Sequence, residues 1–420
     1  MEVIAEEYEN FIGVCSVIDK NMRRKKMQYN FDQELERSNL HTMKWENVQH
    51  RKNNPNMLCF GTAEMDFKAA PPILEAFQKV VDNGHFGYPY KREGYYDAVI
   101  SWFKRHCDFE IKREWIANSI AIYPSFQGLI EGLSEASDEV IFHSPVHFVF
   151  SDIIRSLRRI PVENPLKIEN GKYVMDFDDL KKKITKKTKL FILCNPHNPV
   201  GRAWTVDELK TLMDICIENN VVVISDEVYF GLIYKGKKYT PIASLSKEAS
   251  MNSVTCISPS KSYNLTGIKH SLVVTENSDI LQKYKDELHK NNEFFGESVF
   301  GHAAVEAAFG KCDDWSEQLM DYIEGNYHTV RSFMEHNMPD VYVFEPDATY
   351  FLWMDFSCLH MSNEELQALF EDEACVEVSQ GYTLGTGGSG YIRLNVATQR
   401  KILAEGLERI KQAYDHHMEK

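Results

Sequence analysis

Residues 188–226 limit the possible folds more than any other part of the sequence. They begin with the apolar run LFILC at 190–194, pass through the turn-rich NPHNPVG and enter TVDELKTLMDICIENN, whose apolar residues recur at helical spacing. Thr205 and Glu208 predict a capping box at the start of that helix. The β-branched run VVVIS at 221–225 is typical of a strand that is buried on both faces. The segment therefore predicts a βαβ crossover in a parallel sheet.

Two further segments predict strands that end beside polar residues. SIAIY at 119–123 is interpreted as a strand that meets Pro124 and then a helix to about residue 136. SVTCIS at 253–258 is another strand candidate, and it leads directly to Ser260 and Lys261. Because ligands of open α/β sheets bind at the carboxyl ends of the strands, we expect a site there.

The order of the segments predicts an α/β fold with a mostly parallel central sheet and helices on both of its faces. We expect a large domain at 71–295 and a smaller α+β domain at 296–420, to which residues 27–70 contribute. Residues 1–26 lack sustained periodicity and are interpreted as a loose N-terminal extension. The length of 420 residues suits two domains.

Composition argues against several classes of partner. A net charge of -15 does not favour nucleic acid, and no apolar run is long enough for a transmembrane helix. The nine cysteines are scattered without CxxC pairs, which indicates a reducing compartment and a cytoplasmic protein. His416 and His417 lack further ligands at a suitable spacing, so no metal site is expected.

Several residues fit the chemistry of a pyridoxal phosphate site, which needs a lysine, an acid for the pyridine nitrogen and donors for the phenolate oxygen. Lys261 is the lysine candidate. An ionised Asp226 would keep the pyridine nitrogen protonated, and Tyr229 could donate to the phenolate. Asn198 either belongs to a simple turn or donates to the same oxygen.

A phosphate group needs hydroxyl, cationic or amide donors, and these occur at two places in the sequence. Ser258, Ser260 and Lys269 surround Lys261 in the chain. The backbone amides of Ile122 and Tyr123 are expected at the start of a helix, where the helix dipole favours an anion.

These motifs together resemble the fold-type-I pyridoxal phosphate enzymes of the aminotransferase class I/II superfamily, and within it the cystathionine β-lyase-like branch of bacterial carbon–sulfur lyases. The resemblance covers roughly residues 27–415 and implies an aspartate aminotransferase-like fold. The stretches that carry it are AEMDF, FGY, CNPHNPVGRAWT, SDEVY, SPSKSYNLTGI, TYFLWMDF and YIRLNVA.

The resemblance implies roles for individual residues. Lys261 forms the imine with the cofactor, and Arg393 binds the α-carboxylate of the amino-acid substrate through two parallel hydrogen bonds. His147 occupies the position of the aromatic residue that stacks on the cofactor ring, where a phenol is commoner. Tyr88 resembles a tyrosine that reaches the phosphate in the neighbouring subunit, which implies a homodimer with shared active sites.

The implied reaction is β-elimination on a cysteine-type amino acid, which releases a thiol, pyruvate and ammonia. An aminotransferase is the alternative, because the branch usually has His where this chain has Tyr229. A non-catalytic binding protein of the same fold is a third possibility.

Ala121 replaces a customary glycine, and Lys269 replaces a common arginine. Phe67 and Tyr350 are candidates for lining the substrate side-chain pocket.

Overall fold

The computed structural model describes residues 27–37, 40–291 and 296–419, so the predicted extension at 1–26 lies outside the described residues. Its centre is a seven-stranded sheet in which only Ser271–Val274 runs against both of its neighbours. The expected mostly parallel sheet is thus confirmed. In spatial order its strands are Ile116–Ser119, Ser271–Val274, Ser253–Ile257, Val222–Asp226, Thr188–Cys194, Glu139–Ser144 and Ile160–Pro165.

Alternating side chains of the strands bury two separate cores, one on each face of this sheet. Ile224 packs on the face that holds Phe126 and Leu129, whereas Val223 packs on the face that holds Leu209 and Leu212. Helices therefore cover both faces, as the continuous apolar runs predict. The α-helices are Val48–Arg51, Pro71–Asn83, Glu93–Cys107, Ile122–Leu133, Val149–Ser156, Phe177–Lys183, Val206–Glu218, Lys247–Met251, Pro259–Ser262, Ser278–Lys290, Val299–Lys311, Asp313–Asn337, Asn363–Ala368 and Arg400–Met418.

A second, antiparallel sheet lies later in the chain. Its strands in spatial order are Tyr342–Val343, Phe351–Asp355, Tyr391–Asn395 and Ser379–Gln380. Leu58–Cys59 pairs with Val376–Glu377, and Lys167–Glu169 pairs with Lys172–Val174. The short 3₁₀ and π helices are Met43–Asn47, Arg113–Trp115, Ile242–Ser244, Thr266–Ile268, Ser357–Leu359, Leu369–Glu373 and Gly381–Leu384. Both sheets belong to one unit, Phe31–Lys420, and its division into a large and a small domain stays a prediction.

Local sequence signals account for two helix starts. The capping box forms as predicted, because Glu208 N donates to Thr205 Oγ1 at 3.2 Å and Thr205 N donates to Glu208 Oε2 at 2.8 Å. The prediction of a strand at 119–123 was wrong: the strand is Ile116–Ser119, and the helix begins at Ile122. Pro124 fits its first turn, where a missing N–H costs no intrahelical bond.

Within the described residues, the structure contains no helix long and apolar enough to span a bilayer. In the same ranges, no group of three or more His, Cys, Asp or Glu side chains could hold a metal ion. His416 and His417 lie in the last turn of the helix Arg400–Met418.

Candidate active site

Neighbouring strands of the seven-stranded sheet bring the predicted site residues together at their carboxyl ends. Asp226 ends its strand between Cys194 on one side and Cys256 on the other. Asn198 lies in the turn that follows Cys194. Lys261 lies in the short helix Pro259–Ser262, which follows the strand Ser253–Ile257. This is the edge where the sequence places a ligand site.

The strand ends enclose a cavity of about 140 Å³. Ten of the predicted site residues line it: Ile122, Tyr123, His147, Asn198, Asp226, Tyr229, Ser258, Ser260, Lys261 and Lys269. Ala63, Thr266 and His270 also line it, although the sequence did not single them out. The sequence therefore located the cavity but described its walls incompletely.

Lys261 is oriented by a loop that is distant in sequence. Its Nζ donates to Ala63 O at 2.7 Å and lies 3.4 Å from Thr266 Oγ1. Burial and the nearby guanidinium of Arg393 lower the pKa of Lys261 to about 8. The amine is therefore easier to deprotonate than an exposed lysine.

The AEMDF motif supplies that loop, and two sets of contacts hold it. Asn264 donates to Met65 O at 3.1 Å and to Phe67 O at 2.8 Å. Asp66 accepts from Lys44 Nζ at 3.0 Å and from Trp45 Nε1 at 2.7 Å, and all of these atoms are buried. The Ala63 carbonyl that contacts Lys261 therefore lies just before a stretch of backbone that is held from two directions.

Asp226 is buried, and none of the residues that the structure describes provides a cation in direct contact with it. Its Oδ1 accepts from Val228 N at 3.3 Å, and burial raises the pKa of Asp226 to about 7. A buried carboxylate of this kind is stabilised by a cation that forms a hydrogen bond to it.

Arg393 forms a buried set of hydrogen bonds next to the cavity. Its Nη1 donates to Asn198 Oδ1 at 2.9 Å, and its Nη2 donates to Gly61 O at 2.9 Å and to Ser379 Oγ at 2.8 Å. The Phe351 ring lies 3.9 Å from the guanidinium carbon. Among the described residues the buried Nε has no hydrogen-bond partner, so this donor is available to a carboxylate.

Gly61 is itself held from its other side. Its N–H donates to Glu377 Oε2 at 2.9 Å, and a side chain at position 61 would overlap the Glu377 carboxylate. Gly61, Ser379 and Glu377 were not identified from the sequence. The pairing of Ser379 with Arg393 across neighbouring strands explains why, since it joins distant segments.

Of the expected phosphate donors, the Ser258 hydroxyl already has hydrogen-bond partners, whereas two backbone amides at a helix start do not have intrahelical ones. Ser258 Oγ donates to His270 O at 2.6 Å and accepts from Ser260 N at 3.1 Å, so this hydroxyl caps the helix of Lys261. The helix Ile122–Leu133 begins at the cavity. Its N-cap residue, Ala121, has no polar side chain that could accept hydrogen bonds from the first backbone amides. The amides of Ile122 and Tyr123 are thus free of intrahelical partners.

The aromatic groups of the cavity include a histidine–tyrosine contact. The Tyr123 hydroxyl lies 3.3 Å from His147 Nδ1, and Phe148 stacks on the imidazole with a centroid distance of 4.6 Å. Burial, Arg393 and Lys261 lower the pKa of His147 to about 3, so its imidazole is neutral at ordinary pH.

Three further predicted residues lie outside the cavity lining. Phe67 does not line this cavity: its buried ring lies 5.2 Å from that of Phe31 and 5.5 Å from that of Tyr322, so its place in the substrate pocket stays a prediction. Tyr350 is buried with its ring 5.9 Å from that of Tyr229. Tyr88 is 86% exposed and lines surface depressions elsewhere on the chain.

Comparisons with known proteins give the same picture. Residues 55–410 match the family described as aminotransferase class I and II. Cystathionine β-lyase PatB of Bacillus subtilis is 34% identical over 385 residues, which cover 91% of this chain and 99% of PatB.

Two solved structures share the fold over nearly their whole length. One is a pyridoxal phosphate-bound protein of Clostridium difficile 630, provisionally named an aminotransferase, with 38% identity, a TM-score of 0.89, and coverage of 92% of this chain and 100% of that one. The other is cystalysin of Treponema denticola, which contains pyridoxal 5'-phosphate, with 29% identity, a TM-score of 0.89, and coverage of 93% and 100%. The chain therefore belongs to the aminotransferase class I and II family, and within it to the branch that includes the carbon–sulfur lyases.

Proposed function

We propose that this chain is a pyridoxal phosphate-dependent carbon–sulfur β-lyase that acts on a cysteine-type amino acid such as L-cystathionine. The observation that carries the proposal is a cavity lined by Lys261, Asp226 and Asn198, with Arg393 hydrogen-bonded to Asn198 beside it, in a relative of PatB. The products are a thiol, pyruvate and ammonia.

The residues present fit the cofactor. The buried Asp226 carboxylate lacks a cation in contact, and a protonated pyridine nitrogen would provide one. Lys261 offers an amine whose lowered pKa favours the nucleophilic, neutral form. Ile122 and Tyr123 offer backbone amides to a phosphate at a helix N-terminus.

Pyridoxal phosphate, when bound, supplies an aldehyde that reacts with amines and a conjugated ring that delocalises negative charge formed at the substrate Cα. The side chains of this protein supply orientation and proton transfer. Arg393 binds the α-carboxylate with its free Nε–H and its guanidinium charge. Asn198 uses its Oδ1 to hold Arg393, so its Nδ2 hydrogens are left to donate to the phenolate oxygen.

Lys261 is the group that removes the Cα proton. With cofactor and substrate bound, the free Lys261 amine would accept that proton, and Ala63 O lies within hydrogen-bond reach of the resulting Lys261 ammonium. Loss of the proton allows the β-thiolate to depart. Tyr229, buried in the cavity lining, would donate a hydrogen bond from its hydroxyl to the phenolate oxygen of the bound cofactor.

An aminotransferase is the second candidate, and Tyr229 is the specific residue that favours it, since the carbon–sulfur lyases usually have His there. The similarity to the Clostridium difficile protein is compatible with it. The same residues would serve that reaction, with the proton returned to the cofactor rather than a thiolate expelled. A non-catalytic binding protein is disfavoured, because the whole constellation is intact.

One incubation separates these functions. Cofactor-loaded protein is mixed with L-cystathionine in the absence of any keto acid, and pyruvate and free thiol are followed together with the cofactor spectrum. Sustained and equal release of pyruvate and thiol supports the lyase. A single turnover that resumes only on addition of a keto acid identifies an aminotransferase, and binding without turnover of any amino acid identifies the non-catalytic alternative.

We also propose a homodimer in which Tyr88 contacts the phosphate bound by the partner subunit. Tyr88 lies outside the cavity of its own chain and is exposed together with Phe86 and Tyr90. Mixing Lys261→Ala with Tyr88→Ala protein tests the sharing of sites. Each hybrid dimer would contain one complete site, so activity returns on mixing if Tyr88 acts across the interface and does not return if it acts within its own chain.

A cytoplasmic location is part of the same proposal. The eight cysteines among the described residues are all unpaired, and this fits a reducing compartment. Fractionation of native cells would test it, because recovery of the protein outside the cytoplasm contradicts this location.

A further inference from the structure

The contact between the Tyr123 hydroxyl and the His147 imidazole is not used in the mechanism proposed above. A phenyl or phenol ring has the same outline after a half-turn about its axis, so stacking alone suffices to place it. An imidazole does not, because the half-turn exchanges Nδ1 with a carbon. A histidine in the stacking position therefore needs a neighbour that selects one orientation.

Tyr123 is placed to do this. Its hydroxyl lies 3.3 Å from Nδ1 at the edge of the imidazole, and the two rings are offset by 6.2 Å between centroids with an interplanar angle of 29°. Phe148 covers one face of the same imidazole at 4.6 Å and 24°. His147 and Tyr123 both line the cavity.

The charge state of His147 decides which atom donates. The imidazole is neutral, so one of its nitrogens carries a proton and the other accepts. A phenol is a better donor than acceptor, and donation to Nδ1 leaves the ring proton on Nε2. Neutrality also matters for stacking, because an imidazolium over a protonated pyridine ring would be repelled.

We propose that Tyr123 is a positioning residue whose hydroxyl donates a hydrogen bond to Nδ1 of His147. This bond fixes the imidazole in the Nε2–H tautomer and in the plane that covers the cofactor ring. The inference rests on the proposed function only in its use of pyridoxal phosphate. It explains how this chain uses histidine where its relatives more often use a phenol.

The test combines a spectroscopic measurement with a double-mutant cycle, and neither requires turnover. Protein labelled with ¹⁵N at histidine is compared in the wild type and in Tyr123→Phe, with the His147 resonances identified by their loss in His147→Phe. We expect the wild type to show a pyridine-like Nδ1 and a protonated Nε2, and Tyr123→Phe to show a mixture of tautomers. Unchanged His147 resonances in Tyr123→Phe would overturn the proposal.

The cycle measures the dissociation constant of pyridoxal phosphate. Loss of one hydrogen bond predicts affinity weakened by about two- to tenfold in Tyr123→Phe. In the His147→Phe background the same change should have no effect, because a phenyl ring stacks without an Nδ1 partner. An equal loss in both backgrounds would show that Tyr123 contacts the cofactor itself, and the positioning role would be wrong.

Tyr342→Phe is the matched control, since Tyr342 is half exposed at the edge strand Tyr342–Val343. It should leave both readouts unchanged. Failure of the lyase assay would not alter either result, so the two proposals fail separately. The tautomer measurement also stands without bound cofactor.

Discussion

Nη1 of Arg393 donates to Oδ1 of Asn198 at 2.9 Å, so the group proposed to bind the substrate carboxylate is joined to the group proposed to contact the phenolate oxygen. One amide serves both through its two ends, because its oxygen accepts and its nitrogen donates. Substrate binding and the electronics of the cofactor are therefore coupled through a single side chain.

Variants of Asn198 can separate these two contacts. Asn198→Asp keeps an acceptor for Arg393 but removes the donor, whereas Asn198→Ala removes both. We expect Asn198→Asp to raise the pH of the absorbance transition of the bound cofactor with KM changed only a few-fold. Asn198→Ala should raise both the pH of that transition and KM. Identical behaviour of the two variants would contradict the assignment of separate contacts to the amide oxygen and the amide nitrogen. Absorbance titrations and KM measurements supply the comparison.

Gly61→Ala should weaken the binding of the substrate carboxylate. The added methyl overlaps the Glu377 carboxylate that accepts from Gly61 N, and a backbone shift that relieves this overlap would move Gly61 O away from Arg393. Loss of one charged hydrogen bond predicts a KM raised by about tenfold to a hundredfold with kcat nearly constant. Gly310→Ala is the control, since its methyl meets only Ala98 Cβ at 3.6 Å. A fall in kcat at constant KM would refute this explanation.

Asp226→Asn should stabilise the cofactor-free protein at alkaline pH. Burial raises the pKa of Asp226 to about 7, so the folded state binds this proton more tightly than the unfolded chain. The cost of ionisation is absent below about pH 4, grows as the pH rises and is complete above pH 7. The variant should gain about 2–4 kcal/mol in free energy of unfolding at pH 8 and less at pH 5.

Urea unfolding at the two pH values measures this difference. Burial also raises the pKa of the neighbouring Glu227 to about 7, and the charge of Asp226 adds to that rise, so part of the gain at pH 8 comes from easier ionisation of Glu227 in the variant. A gain of equal size at both pH values would indicate a change in packing. With pyridoxal phosphate bound, the sign should reverse, since the carboxylate then has its cation.

Lys261→Ala should abolish turnover while the protein still binds pyridoxal phosphate through its other contacts. Removal of the base and nucleophile predicts a loss in kcat of about a thousandfold or more. After borohydride reduction, mass spectrometry should find the cofactor covalently attached in the wild type and absent from the variant. Lys189→Ala changes an exposed lysine and should match the wild type. Covalent attachment that persists in Lys261→Ala would assign the role to another lysine.

The sequence located the edge of the sheet that carries the cavity, because continuous apolar runs identify buried parallel strands and ligands bind where such strands end. Lys261, Asp226 and Asn198 follow three such runs, and all three line the cavity. The family was likewise identified from these motifs and is confirmed by the comparisons. Their individual roles stay predictions.

The errors have physical causes. Ile120 and Ile122 made 119–123 resemble a strand, but Ile122 already belongs to the helix, and tertiary packing overrides so short a pattern. Gly61 was missed because it acts through its backbone oxygen, which leaves no trace in the residue type. The ring contacts of Phe67 with Phe31 and Tyr322 were also not foreseen, because those two residues lie in distant segments that sequence periodicity does not connect.

The distribution of the site along the chain has a consequence for synthesis on the ribosome. Lys261, Asp226 and Asn198 are translated with the seven-stranded sheet, which is complete at Val274, whereas Arg393 and Ser379 emerge much later. The residues that the large sheet brings to the cavity have therefore all been made before the two residues that stand beside Asn198 and the loop of Gly61. The part of the site proposed to recognise a carboxylate is thus the last part to be synthesised.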